Sequence, residues 1–155
     1  MRWLFLPRWE RLGWAVKLYT MAKTFSLGKK EKLKSRKQIE VLFAKGKSLV
    51  VFPIRVTYNF LPADEEPLVQ IGVTASKRHF KKAVDRNRIK RLLREAYRLQ
   101  KTELAEALKQ SNTKAYLFFM YTDKTIASFD VVKTAMNHCL KRLQQKIPSA
   151  HEKLA

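Results

Sequence analysis

Residues 76–98 read SKRHFKKAVDRNRIKRLLREAYR and hold the chain's densest chemistry. Ten of them are cations: Lys77, Arg78, Lys81, Lys82, Arg86, Arg88, Lys90, Arg91, Arg94 and Arg98. Asp85 and Glu95 are the only acids, so the stretch carries a net +8. Arginine dominates its second half. A guanidinium grips phosphate oxygens in pairs and stacks on bases, which an ammonium does not. Asn87 is the odd member. Its amide can donate to a phosphate or to a water held by a metal ion; capping a helix or plain solvation is its alternative role.

Wound as a helix at about 100° per residue, Ile89, Leu92, Leu93, Ala96 and Leu99 fall within an arc of roughly 120°, the expected core face. Arg86, Asn87, Lys90, Arg91, Arg94 and Arg98 share an adjoining arc of roughly 140° on the same construction. Arg86–Lys90, Lys90–Arg94 and Arg94–Arg98 are like-charge i,i+4 pairs, each costing a few tenths of a kcal/mol in an isolated helix. A face loaded this way is kept most readily when an anion lies on it. The bland alternative is a solvated basic face.

Bond-breaking by side chains is not indicated. His79, His138 and His151 are scattered, and no HExxH, CxxC or phosphate-loop pattern is present. The densest acids, Asp64 to Glu66, stand in a loop, and no nucleophile–base set accompanies them. The expected catalytic set in the protein is therefore empty, as is the expected metal-ligand set. Cys139 is the only cysteine. It allows no internal disulfide and fits a reducing compartment, and its apolar helical setting favours a buried thiol.

The whole chain agrees with an anionic partner. Its 155 residues include 33 Lys plus Arg against 13 Asp plus Glu, a formal net charge of +20. Nucleic acid is the first candidate and an anionic membrane surface the second. Residues 22–47 carry nine cations and two acids, another +7, so two segments supply +15 of the +20. The length suits one domain with one core. Residues 1–21 read as an extension outside that domain, 22–150 as the domain and 151–155 as a tail. Pro7, Arg8, Glu10 and Arg11 interrupt the apolar start, so neither a signal peptide nor a membrane span is expected. A surface-seeking aromatic and basic peptide is the rival reading of that extension.

The elements that must position the basic helix follow from periodicity. Ser35 with Gln38 three residues on has the capping-box pattern, Ile39, Leu42 and Phe43 share a face, and Gly46 marks the stop. Residues 49–60 read as a short strand, a break at Pro53 and a longer strand whose Ile54, Val56, Tyr58 and Phe60 face one way. Residues 68–75 form the next strand. A long helix runs from about Ala83 past Leu99. Residues 115–122 read as a buried strand, apolar without alternation. A last helix runs from about Phe129 to Ile147, ended by Pro148. The order is α-β-β-β-α-β-α, a single-domain α+β fold with helices covering one sheet.

The run from Ser76 and Lys77 through Lys82, Ala83, Val84, Arg86, Asn87, Arg88, Ile89, Lys90 and Arg91 to Arg94 and Glu95 resembles the signature of the bacterial ribonuclease P protein component. The Leu33–Gly46 helix, the Gly72–Ser76 strand end and the element order are similar to that family as well; residues 1–21 lie outside it. Lys114 and Ala115 depart from its common acidic strand opening. The resemblance implies a four-stranded sheet, three helices and a left-handed βαβ crossover around the basic helix, against the usual right-handed rule. It implies membership of a ribonucleoprotein endoribonuclease that removes the 5′ leader of precursor tRNA in the cytoplasm. Catalysis and the Mg²⁺ ions would belong to the RNA subunit.

On this resemblance the partners are the catalytic RNA and the precursor tRNA leader, with neither DNA nor membrane. The RNA-binding residues are Lys77, Arg78, Lys82, Arg86, Asn87, Arg88, Lys90, Arg91, Arg94 and Arg98. A cleft between the first helix and the sheet would hold the leader, with Ile39, Phe43, Ile54, Val56 and Tyr58 as candidates for its floor. Core packing is the alternative for each of these five. Two further readings compete: a structured-RNA-binding protein without an enzyme partner, and a helix-turn-helix DNA reader, which lacks its short preceding helix.

Overall fold

The structure, a computed structural model, describes residues 26–64 and 66–148. The expected extension 1–21 and tail 151–155 lie outside the described residues. The elements are α1 (Arg36–Lys45), β1 (Lys47–Val51), β2 (Ile54–Pro62), β3 (Val69–Ala75), α2 (Ala83–Gln110), β4 (Thr113–Tyr121) and α3 (Phe129–Gln145). The α-β-β-β-α-β-α order is the expected one. The four strands form one sheet in the order β1-β2-β4-β3. β1 pairs antiparallel with β2, and β2 antiparallel with β4. β3 and β4 are parallel, so α2 is the crossover between neighbouring strands.

The pleat divides the sheet into two unlike faces. On one, Ile54, Val56 and Tyr58 of β2 stand opposite Tyr121, Phe119 and Leu117 of β4. Ile71 and Val69 of β3 continue these rows. This face joins Ile89, Leu93, Ala96 and Tyr97 of α2 and Val132, Met136 and Leu140 of α3 in one hydrophobic core. On the other face lie Thr57 and Asn59, opposite Phe118 and Tyr116. There α1 packs on β2. β4 therefore alternates in burial along its whole length. Its sequence shows no polar alternation because helices cover both faces.

Two glycines fit that second face for reasons of space. A Cβ on Gly72 would overlap the Phe118 ring, and one on Gly46 would overlap the Leu42 carbonyl and press on Thr57. Gly46 ends α1 with φ −73°, so it serves close approach rather than a left-handed turn. Ser35 occupies the N-cap of α1 as expected, but its side chain makes no capping hydrogen bond. Gln38 instead donates from Nε2 to the Tyr116 hydroxyl at 3.1 Å, tying α1 to β4.

Residues 26–34 form a strap along the outer side of β3. The Ile71 amide donates to the Glu31 carbonyl and the Leu33 amide to the Ile71 carbonyl, both at 2.8 Å. The Lys101 ammonium of α2 fixes the strap by donating to the Ser26 carbonyl at 2.6 Å and to the Glu31 carboxylate at 2.9 Å. Lys101 is only 8% exposed, a charge taken from water and matched by its partners.

Candidate nucleic-acid interface

The basic segment opens as an exposed turn carrying Lys77, Arg78 and Lys82, with Lys82 at the N-cap of α2. α2 then runs for 28 residues. Its buried positions are Ile89, Leu93, Ala96, Tyr97, Lys101, Leu104 and Leu108. This stripe is rotated from the expected one by roughly 60° on the helical wheel. The second half of the helix, with Tyr97, Leu104 and Leu108, sets the axis, and periodicity over 86–99 alone does not contain it. Leu99 consequently turns outward at 38% exposure.

The rotation sorts the cations. Arg86 lies on the buried side of the helix, and its Nη1 donates to the carbonyls of Phe80 at 2.8 Å and Lys81 at 2.6 Å. It staples the turn before α2, while the residue as a whole stays half-exposed. Lys90 is half-buried beside it. Asn87, Arg88, Arg91 and Arg94 are exposed. Arg98 is half-exposed and bonds Glu95 through two nitrogens, at 2.9 and 2.6 Å. The hydrogen bond from Arg98 holds the Glu95 carboxyl below the usual carboxylate range.

Arg88, Arg91, Arg94 and Arg98 converge with Lys32 of the strap on a groove of about 520 Å³, whose other lining residues are Leu27, Leu92, Glu95 and Phe129. The two basic segments of the sequence thus meet in space. Lys32 and Phe129 escape sequence reasoning because strap and α3 reach α2 only through tertiary packing. The sole advance signal is the second cluster of cations at 22–47.

Where α1 packs on the sheet, the place of the expected cleft, aromatic side chains cluster. Phe43, 47% exposed, meets Phe118 edge-on at 5.1 Å between centroids and 68° between planes. The Lys114 ammonium sits 5.5 Å from the centre of the Tyr116 ring. Ile39 is on α1, half-buried. Ile54, Val56 and Tyr58 do not belong to this cleft: they are 0, 0 and 4% exposed on the opposite face of the sheet. The alternation grouped them correctly, but only the position of α1 shows which group meets the cleft. Tyr116 and Phe118 take their place.

Among the described residues no three His, Cys, Asp or Glu side chains converge as a metal-ligand set. None of their helices is long and apolar enough to cross a membrane.

The family model for ribonuclease P matches residues 27–144, which take in every element of the fold up to, but not including, the last residue of α3. The chain belongs to the ribonuclease P family. The ribonuclease P protein component of Porphyromonas gingivalis is 37% identical over 131 residues, covering 84% of this chain and 96% of the relative. That of Chlorobaculum tepidum is 31% identical over 140 residues, covering 84% and 91%. Among solved structures, the Staphylococcus aureus RNase P protein aligns with TM-score 0.57 at 19% identity, over 73% of this chain and 94% of that one. The Thermotoga maritima RNase P protein gives 0.55 at 23%, over 72% and 96%. These two likenesses speak for the fold alone. Ribonuclease P membership makes the chain a subunit in tRNA 5′-end processing.

Proposed function

We propose that the chain binds the catalytic RNA of ribonuclease P through the exposed face of α2 and the 5′ leader of precursor tRNA through the α1–sheet cleft. The carrying observation is the convergence of Lys32, Arg88, Arg91, Arg94 and Arg98 on one groove. Cations gathered from separate segments repel one another, and a phosphate backbone relieves that repulsion while releasing its counterions. Lys77, Arg78 and Lys82 extend the positive surface at the N-terminal end of α2. In the cleft, Phe43, Tyr116 and Phe118 offer rings for unstacked bases, with Lys114 beside them for phosphate.

The protein's residues bind and orient, and cleavage falls to the RNA subunit with its Mg²⁺ ions. The site of action is the cytoplasm, with neither DNA nor a membrane as partner. The test is leader cleavage by the catalytic RNA at low Mg²⁺. Added protein restores cleavage, and a chain with Arg88, Arg91 and Arg94 all changed to Ala does not. A parent chain that binds structured RNA yet leaves cleavage unaltered would reduce the function to RNA binding without an enzyme partner.

A further inference from the structure

The groove beside α2 has a floor that phosphate binding alone does not require. Phosphates are met by cations on an exposed rim. Here Leu27 of the strap, Leu92 of α2 and Phe129, the first residue of α3, add an apolar floor between the cations. The volume, about 520 Å³, lies within the range of roughly 300–1,000 Å³ typical of small-molecule sites. Phe129 and Leu27 also pack on the hydrophobic core, which holds the groove's aromatic wall from behind. Glu95, the one acid on the lining, is paired with Arg98, so the rim stays positive.

We propose that this groove receives a single unstacked nucleobase of the bound RNA, with Phe129 as the stacking platform and the phosphates on either side held by Arg88, Arg91, Arg94 and Lys32. The inference rests on the RNA-binding function proposed for α2 and adds a base-level site to it. Charge selects the occupant. An apolar peptide would leave Lys32, Arg88, Arg91 and Arg94 of the lining without an anion. Residues 1–25 of this chain, with five cations and one acid, would add to the repulsion. A nucleotide brings a flat apolar ring and an anion on each side. Bases paired within a duplex are not available to such a site, so it selects a loop, bulge or strand end.

The probes are hexaadenylate and an abasic hexamer of equal length and charge, used on the full chain carrying Phe43→Ala, which removes the exposed ring of the other cleft. Phe129→Leu keeps an apolar side chain against the core and removes the ring. It is expected to lose about tenfold in affinity for hexaadenylate and nothing for the abasic hexamer. Phe129→Trp restores the affinity. Its fluorescence, taken as the difference from the Phe129 chain, is quenched by hexaadenylate and not by the abasic hexamer. Equal hexaadenylate affinity with Phe and Leu at 129, or equal quenching by both oligomers, overturns the proposal. The Trp reading stands even if Phe129→Leu folds poorly. In the low-Mg²⁺ cleavage assay, equal stimulation by the parent chain and Phe129→Leu at limiting protein refutes the groove alone. A parent chain that fails to stimulate refutes the ribonuclease P partner, and the oligomer measurements then judge the groove.

Discussion

Arg86 and Arg88 stand two residues apart in one cationic run and have different work. The Arg86 guanidinium closes the turn before α2 through two carbonyls. Arg88 is exposed on the rim of the groove. Arg86→Ala should therefore lower stability by about 1–3 kcal/mol, the worth of hydrogen bonds from a charged donor, and leave the salt dependence of RNA binding unchanged. Arg88→Ala or Arg91→Ala should do the reverse: each leaves the urea midpoint in place and reduces the slope of log K against log salt by about one. Binding at several salt concentrations beside urea melts checks both halves. Cys139 gives a pH prediction. Burial pushes its thiol from 9.0 up to about 12. The folded state favours the neutral thiol, so this contribution is whole below about pH 9 and drains away toward pH 12. Below that window a thiol reagent should label Cys139 only as fast as the protein unfolds, and rapid labelling of native protein would contradict its burial.

α2 is the element in which sequence and structure agree on existence and part over orientation. Apolar spacing located it, and the Arg-Asn-Arg run marked it as the functional helix. Its rotation was hidden because Tyr97, Leu104 and Leu108, which anchor the far half, lie beyond the basic segment. The same limit governs β2. Alternation separates Ile54, Val56 and Tyr58 from Arg55, Thr57 and Asn59, but which set meets α1 depends on packing between elements distant in sequence. Phe43 was legible as a ring on α1, whereas Phe118 needed the pairing of β4 with β2 to enter the same cleft. The strap was not legible at all, since nothing local announces that Glu31 will meet Lys101 across 70 residues of chain. Glu31→Gln tests that tether. Losing one partner of a mostly buried pair should cost about 2–3 kcal/mol, less than a fully buried pair because Glu31 is partly exposed. Urea melts of Glu31→Gln, Lys101→Met and the double variant check it, with the double variant expected to be more stable than the sum of the single losses allows.

For the molecule as a whole, net charge was readable from composition and its distribution was not. Of the +20, segments 22–47 and 76–98 carry +15, and the fold brings Lys32 of the first against the arginines of the second. Some six neutralised phosphates would give a slope near −5 for log K against log salt. Affinity should then fall by about three decades between roughly 50 and 200 mM salt, measurable by filter binding. A nearly flat response would mean that contacts other than phosphate dominate. The hydrogen bonds between Ile71 and residues 31–33 have one more effect. An open strand border invites a stranger's backbone, and a chain this rich in β-forming residues risks polymerising through it. Here the strap bridges β3 at Ile71, and among the described residues the border without such a bridge is β1, five residues long and headed by a lysine. Loosening the strap would therefore show itself as clumping before it showed itself as unfolding.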